Sequence, residues 1–225
     1  MTFSLLLRDP ATGEFGAAIA SSSPAVAARC VNLADGVGGA NSQNVTDPRL
    51  GPLLIEKLRS GASAQEALDA VVSGSDQDTI DYRQLLVLDA SGQTAVHSGT
   101  RALGIYGSTV RENAACAGNM LASPDVLEAM IDTALTTTGR LEMRLYAALR
   151  AAIAAGGEEG PVHSAGLSVV GHAGWRVTDL RVDWSEDPIG ELRRALEVWL
   201  PQRDDYVSRG INPAAAPSYG VPGDE

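Results

Sequence analysis

The residue with the most specific chemical meaning in this sequence is the threonine at position two. Met1 precedes Thr2, and threonine is small enough for an initiator methionine in front of it to be removed. Thr2 would then carry a free α-amine. The ordinary pKa of that group, about 7.7–8.0, leaves it partly neutral at physiological pH and able to accept a proton. The hydroxyl of the same residue would attack a carbonyl, the arrangement of a threonine activated by its own terminal amine. Met-Thr openings are common, and the dipeptide alone defines no activity. Retention of Met1 would tie up the Thr2 nitrogen as an amide and remove the base.

Other chemistry has little support. The sequence holds no G-x-G-x-x-G after a strand, no P-loop, no H-E-x-x-H and no C-x-x-C. His163 and His172 flank one hairpin, but a metal site there needs a third ligand, so neither metal nor cofactor is expected. A Ser–His–Asp triad around His97 has no spacing to recommend it. Cys30 and Cys116 lie in AARCVNL and NAACAGN, small and apolar surroundings that suit buried free thiols.

The elements that would position Thr2 follow from hydrophobic patterning. Residues 3–8 and 15–20 form a hairpin around Asp9-Pro10-Ala11-Thr12-Gly13, and Thr2 stands at its first strand's start. A third extended stretch, 37–45, is rich in Gly, Asn, Ser and Gln, as a ligand face or a close backbone approach would be. Leu50, Leu53, Leu54 and Leu58 mark one helix, and Ser63 with Glu66 caps the next. A second hairpin spans 84–97, and a strand over 112–117 ends at Gly118-Asn119. Two helices follow, the first entered through Ser123-Pro124, the second carrying Leu141, Leu145 and Leu149. A third hairpin covers 165–183 and a helix 189–199. Hairpins alternating with helix pairs imply layers of antiparallel sheet and helix. Two sheets between two helical layers, or one sheet with helices on one face, both satisfy this order.

The chain has 225 residues, 44% of them hydrophobic and only 4% aromatic, enough for one domain with a core of Ala, Val, Leu and Ile. We expect one domain over 1–200 and an extended Pro/Ala/Gly-rich tail over 201–225. A net charge of −11 argues against nucleic-acid and membrane-surface partners. The N-terminus has no basic segment before its short apolar run, so a cytoplasmic location is expected. The acidic, helix-rich surface and the tail suggest a homo-oligomer.

The opening MTFSLLLRDPATGEFGAAIASS, the segment GVGGANSQN, the stretch AGNMLASPDVLEAM and DLRVDWSEDPIGELRRAL together resemble a prokaryotic family catalogued as domain of unknown function 1028. The closing NPAAAPSYGVPGDE is similar to that family's tail. The resemblance implies an α+β fold, a four-layer αββα sandwich of two mainly antiparallel sheets between helical layers. That is the fold of the N-terminal-nucleophile hydrolases, which open amide bonds through a first-residue Thr, Ser or Cys. One fold hosts many functions, so the activity is implied less firmly than the architecture.

Carried onto this sequence, the resemblance makes Thr2 the nucleophile. Ser21 and Ser22 close the paired strand and are expected to hydrogen-bond its amine or hydroxyl. Asn41, Ser42 and Gln43 would neighbour the site, Gly118 and Asn119 would hold an oxyanion, and His97 with Ser98 would line the pocket. Blander roles remain open: residues 21–23 as a turn, Asn119 as a partner of the loop before its helix. One departure concerns Ser22, where the family often has a basic residue. Arg101 or Arg181 are the substitutes to consider. Three functions follow: an amidohydrolase acting on a small-molecule substrate through Thr2, a hydrolase of enamines or imines using a water held by Asn119 and Gln43, and a non-catalytic binding or assembly protein.

Overall fold

A computed structural model describes residues 1–220. Strands β1 (Thr2–Arg8) and β2 (Phe15–Ser21) form the first hairpin. Its turn closes on Asp9, whose carboxylate accepts from the Ala11 N–H and whose carbonyl accepts from Gly13 at φ +76°. The hairpin lies at the centre of a six-stranded sheet. Its order is β10 (Arg176–Val182), β9 (Ser164–Val170), β2, β1, β8 (Ala114–Asn119) and β7 (Gly107–Arg111), every neighbour antiparallel. A second, four-stranded antiparallel sheet runs β3 (Val31–Ala34), β4 (Gly38–Asn44), β5 (Arg83–Asp89) and β6 (Thr94–Ser98).

The period of two along each strand decides what each sheet face meets. In β1, Phe3, Leu5 and Leu7 face outward. They pack on α5 (Asp125–Thr136) and α6 (Leu141–Ala154), with Leu192 and Leu196 of α7 (Pro188–Trp199) in the same core. Leu6 faces inward and meets Ile19, Leu86 and Leu88 between the sheets. On the other side, Leu85 and Val87 meet α2 (Leu50–Arg59) and α3 (Ala64–Gly74). Three apolar layers therefore separate four layers of structure, and the molecule is an αββα sandwich. The single-sheet alternative is excluded. Each fully buried Leu or Ile contributes roughly 1.5–3 kcal/mol by leaving water, and small residues let the layers close. Gly16, for one, leaves no room for a side chain, since a Cβ there would stand 2.6 Å from Leu145.

The capping box at Ser63 and Glu66 is present. At α5, Pro124 takes the cap position and Ser123 makes no capping bond. The patterning missed α1 (Val26–Cys30), β3, α4 (Gln77–Ile80) and the edge strand β7, all short, and also α8 (Arg203–Ile211). Helix α8 falls in the segment expected to be extended, and a 3₁₀ turn over Pro213–Ala215 follows it. Its apolar contacts are few, Val207 on the main core and Tyr206 stacked on Trp199, and ion pairs add to them: Arg203 pairs with Glu142 at 2.9 Å and with Glu14. The last residues of the expected tail, 221–225, lie outside the described residues. Among the described residues, no helix is long and apolar enough to cross a membrane.

Candidate functional site

Thr2, Ser4 and Leu6 share the inward face of β1. Thr2, only 5% exposed, therefore opens a polar layer where the apolar one ends. The β1–β2 register pairs Phe3 with Ala20, which brings Ser21 opposite Thr2. Their hydroxyl oxygens lie 3.2 Å apart, and both hydroxyls donate to the carbonyl oxygen of Met1. Ser21 is held in turn, because its carbonyl accepts from His163 N–H and its hydroxyl from Ser23 N–H. On the other flank Thr2 pairs with Asn119 of β8.

Deeper between the sheets a side-chain network ties the layers together. Ser4 Oγ donates to Gln43 Oε1 at 2.6 Å and accepts from Asn41 Nδ2 at 3.1 Å. Gln43 Nε2 donates to Gln84 Oε1 at 2.8 Å and to the Ala117 carbonyl. Gln84 Nε2 reaches Ser98 Oγ and the carbonyls of Gly107 and Gly118, while Asn119 Nδ2 donates to Gln84 Oε1 at 3.3 Å. Buried polar groups of this kind are tolerated because they satisfy one another. Gln43 has both its amide hydrogens and its oxygen engaged, so it has no hydrogen left for a ligand. Asn41 Oδ1 and Asn119 Oδ1, by contrast, are buried acceptors without a donor among the described residues.

The structure thus gathers Thr2, Ser21 and Asn119 at one end of the inter-sheet layer, with Asn41, Gln43, Ser98 and the Gly118 carbonyl in the network behind them. It does not bring Ser42 or His97 there. Both point to the helical side of their strands: Ser42 donates to the Asp47 carbonyl, and His97 Nε2 lies 3.4 Å from the Ile80 carbonyl. An odd-numbered shift along a strand reverses the face, and these two have the wrong parity. Arg101 donates to the Tyr82 hydroxyl and Arg181 approaches Asp183 at 4.0 Å, so neither replaces a basic residue at Ser22. His163 stacks on Trp184 and His172 turns to the Thr12 carbonyl; the two do not form a pair. Both cysteines are buried free thiols. Burial pushes Cys30 up, and Cys116 up to about 12, which leaves them without thiolate character.

One residue of the site escaped the sequence reading. Gly157 O accepts from Ala122 N–H and Glu159 N–H donates to Met120 O, so residues 157–159 run beside the exit of β8. This carries Glu158 to the Met1 end of the sandwich. It is only 4% exposed, and neither carboxylate oxygen closes a hydrogen bond. Burial raises its pKa to about 7, against the pull of the N-terminal ammonium and of the nearby Ser22 hydroxyl and N–H. In the sequence it sits within GGEEG, which looks like any acidic surface turn. Nothing local distinguishes it from Glu159.

Two antiparallel sheets between helical layers, with a hydroxyl pair buried at the start of the first strand, define an αββα sandwich protein with an amino-terminal polar site. Within that class the chain belongs to the family of unknown function DUF1028, whose model matches residues 2–192. The crystal structure of a DUF1028 protein from Silicibacter pomeroyi superposes with a TM-score of 0.85 at 30% identity, covering 92% of this chain and 90% of that one. Anbu, an ancestral beta-subunit from Yersinia bercovieri, aligns at a TM-score of 0.40 and 12% identity over 89% of this chain and 95% of its own. No protein of curated function matches the chain.

Proposed function

We propose that the protein is an amidohydrolase that opens a C–N bond of a small metabolite, with Thr2 as nucleophile once Met1 has been removed. The observation that carries this reading is the convergence of the Thr2 and Ser21 hydroxyls on one carbonyl oxygen, that of Met1. Once Met1 is gone, a substrate carbonyl seated beside the vacated position, at contact distance from the Thr2 amine, has Thr2 Oγ facing its carbon and the Ser21 hydroxyl ready for the charge that develops on its oxygen.

In the reaction the Thr2 α-amine takes the hydroxyl proton as Thr2 Oγ bonds to the carbonyl carbon. The tetrahedral intermediate collapses with loss of the amine, which leaves carrying the proton held by the Thr2 ammonium. Water then hydrolyses the resulting ester and restores Thr2. Gln43, fully engaged in the network, contributes rigidity rather than contact with substrate. That also weakens the reading in which Gln43 and Asn119 hold a hydrolytic water.

The experiment has two parts. Intact mass of the protein from a cytoplasm with normal methionine processing is expected to lack Met1, and hydrolysis of an amide panel is expected to vanish in Thr2→Ala. Full retention of Met1, or turnover unchanged in Thr2→Ala, overturns the proposal.

A further inference from the structure

Met1 occupies a definite place. Its carbonyl is gripped by Thr2 and Ser21. Its thioether end lies against Gly160, where an added Cβ would stand 3.2 Å from the Met1 Cε and 3.6 Å from Sδ. Its ammonium pulls on Glu158, an almost fully buried carboxylate whose other neighbouring donors, the Ser22 hydroxyl and N–H, do not reach hydrogen-bond geometry. Asn119, the cross-strand neighbour of Thr2, also has a side-chain oxygen without a donor. Two buried acceptors that flank the nucleophile and lack donors call for a ligand rich in N–H. Glu158 has the Met1 ammonium as a counter-charge and loses it when Met1 is removed, so the buried carboxylate then calls for another cation.

We propose that the space Met1 fills is the acyl site, and that it selects α-aminoacyl amides, with Glu158 the counter-ion of the substrate's α-ammonium. This rests on the reading of Thr2 as nucleophile and names the substrate class for it. The acyl half of such a substrate follows the course of the Met1 residue, displaced from the Thr2 nitrogen toward Thr2 Oγ: a carbonyl beside the two hydroxyls, an ammonium toward Glu158, and an unbranched side chain passing Gly160. A Cβ at Gly160 would crowd the end of that side chain, which would have to give by a few tenths of an ångström.

The test separates recognition from chemistry. Protein lacking Met1 and carrying Thr2→Ala, which cannot turn over, is titrated by calorimetry at pH 7.5 with L-methioninamide and with its des-amino analogue, 4-(methylthio)butanamide. The ammonium ligand is expected to bind about tenfold tighter or more, as for a charge-assisted pair. Glu158→Gln is expected to erase that preference. Gly160→Ala is expected to weaken methioninamide while sparing glycinamide, a control that does not depend on Glu158. Equal affinity for the two ligands, no binding of either, or a preference that survives Glu158→Gln overturns the proposal. Binding with the expected preference, but no turnover of methioninamide by protein with Thr2 intact, leaves the recognition standing and removes the nucleophile.

Discussion

The hydroxyl oxygens of Thr2 and Ser21 stand 3.2 Å apart across the first hairpin, and the β1–β2 register puts them there. Neither hydroxyl is needed for the apolar core, so each can be removed without a large cavity. In protein lacking Met1, Ser21→Ala is expected to lower kcat for a cleaved amide by roughly 10²-fold with little change in KM, as for loss of one oxyanion donor. Thr2→Ser is expected to retain turnover. Steady-state kinetics on the two variants checks both, and a Ser21→Ala effect confined to KM would assign Ser21 to ground-state binding instead.

Gln43 and Gln84 are cross-strand neighbours in the four-stranded sheet, bonded to each other at 2.8 Å. They reach the six-stranded sheet through Ser4, the Ala117 and Gly118 carbonyls and Asn119. Truncating either glutamine strands several buried partners, each costing about 1–3 kcal/mol. Gln84→Met is expected to destabilise the fold by about 3 kcal/mol. The double variant Gln43→Met, Gln84→Met is expected to cost less than the two single changes together, because the second removes groups the first has already orphaned. Urea denaturation of the four proteins measures the coupling.

Most strands and the longer helices were legible because the code for them is local. The number of sheets was not, since the order of hairpins and helix pairs fits one sheet or two. In β1, Phe3, Leu5 and Leu7 alternate with Thr2, Ser4 and Leu6, and helices such as α6 carry a repeating apolar stripe. The polar segment 38–44 was legible as unusual for the same reason: Asn41 and Gln43 sit where a strand between two sheets should be apolar. Which of its residues face inward depends on strand parity relative to a partner sheet, and this separated Asn41 and Gln43 from Ser42. Glu158 was not legible. Its burial depends on the pairing of residues 157–159 with the exit of β8, a contact between segments nearly forty residues apart that leaves no periodic trace. Helix α8 was hidden likewise, since its apolar contacts are few and are supplemented by an ion pair between Arg203 and the distant Glu142.

Glu158 should make the stability of the chain depend on pH. Its ordinary value is 4.5, and burial raises it to about 7 in the folded protein. Between those values the folded state holds a proton that the unfolded state has released, so stability falls as pH rises through the window. The loss attributable to Glu158 is at most about 3 kcal/mol. The neighbours that pull on it, the N-terminal amine and His163, remain in Glu158→Gln. That variant, compared with the unaltered chain still carrying Met1, is therefore expected to gain stability at pH 8 and to match it near pH 4.5. Denaturant midpoints at the two pH values check the sign, and a variant no more stable at pH 8 would mean that Glu158 finds a partner in the folded protein.

Arg203 is one of the links between α8 and the sandwich, beside the Arg140–Asp204 pair and the packing of Val207. Its Nε lies 2.9 Å from Glu142, a residue only 1% exposed that also accepts from the Thr178 hydroxyl at 2.7 Å. Removing the cation leaves a buried carboxylate with a single hydroxyl for company. Breaking one side of a buried pair typically costs about 3–5 kcal/mol, whereas replacing both sides with apolar groups of similar volume is often nearly neutral. Arg203→Met is accordingly expected to destabilise the protein by about 3 kcal/mol and to loosen α8, raising amide exchange across residues 203–211. Adding Glu142→Leu is expected to recover part of the global loss, held back by the hydroxyl of Thr178, which then lacks its acceptor. Recovery of stability without recovery of exchange protection in α8 would show that the ion pair, rather than helix packing, holds this segment against the body of the fold.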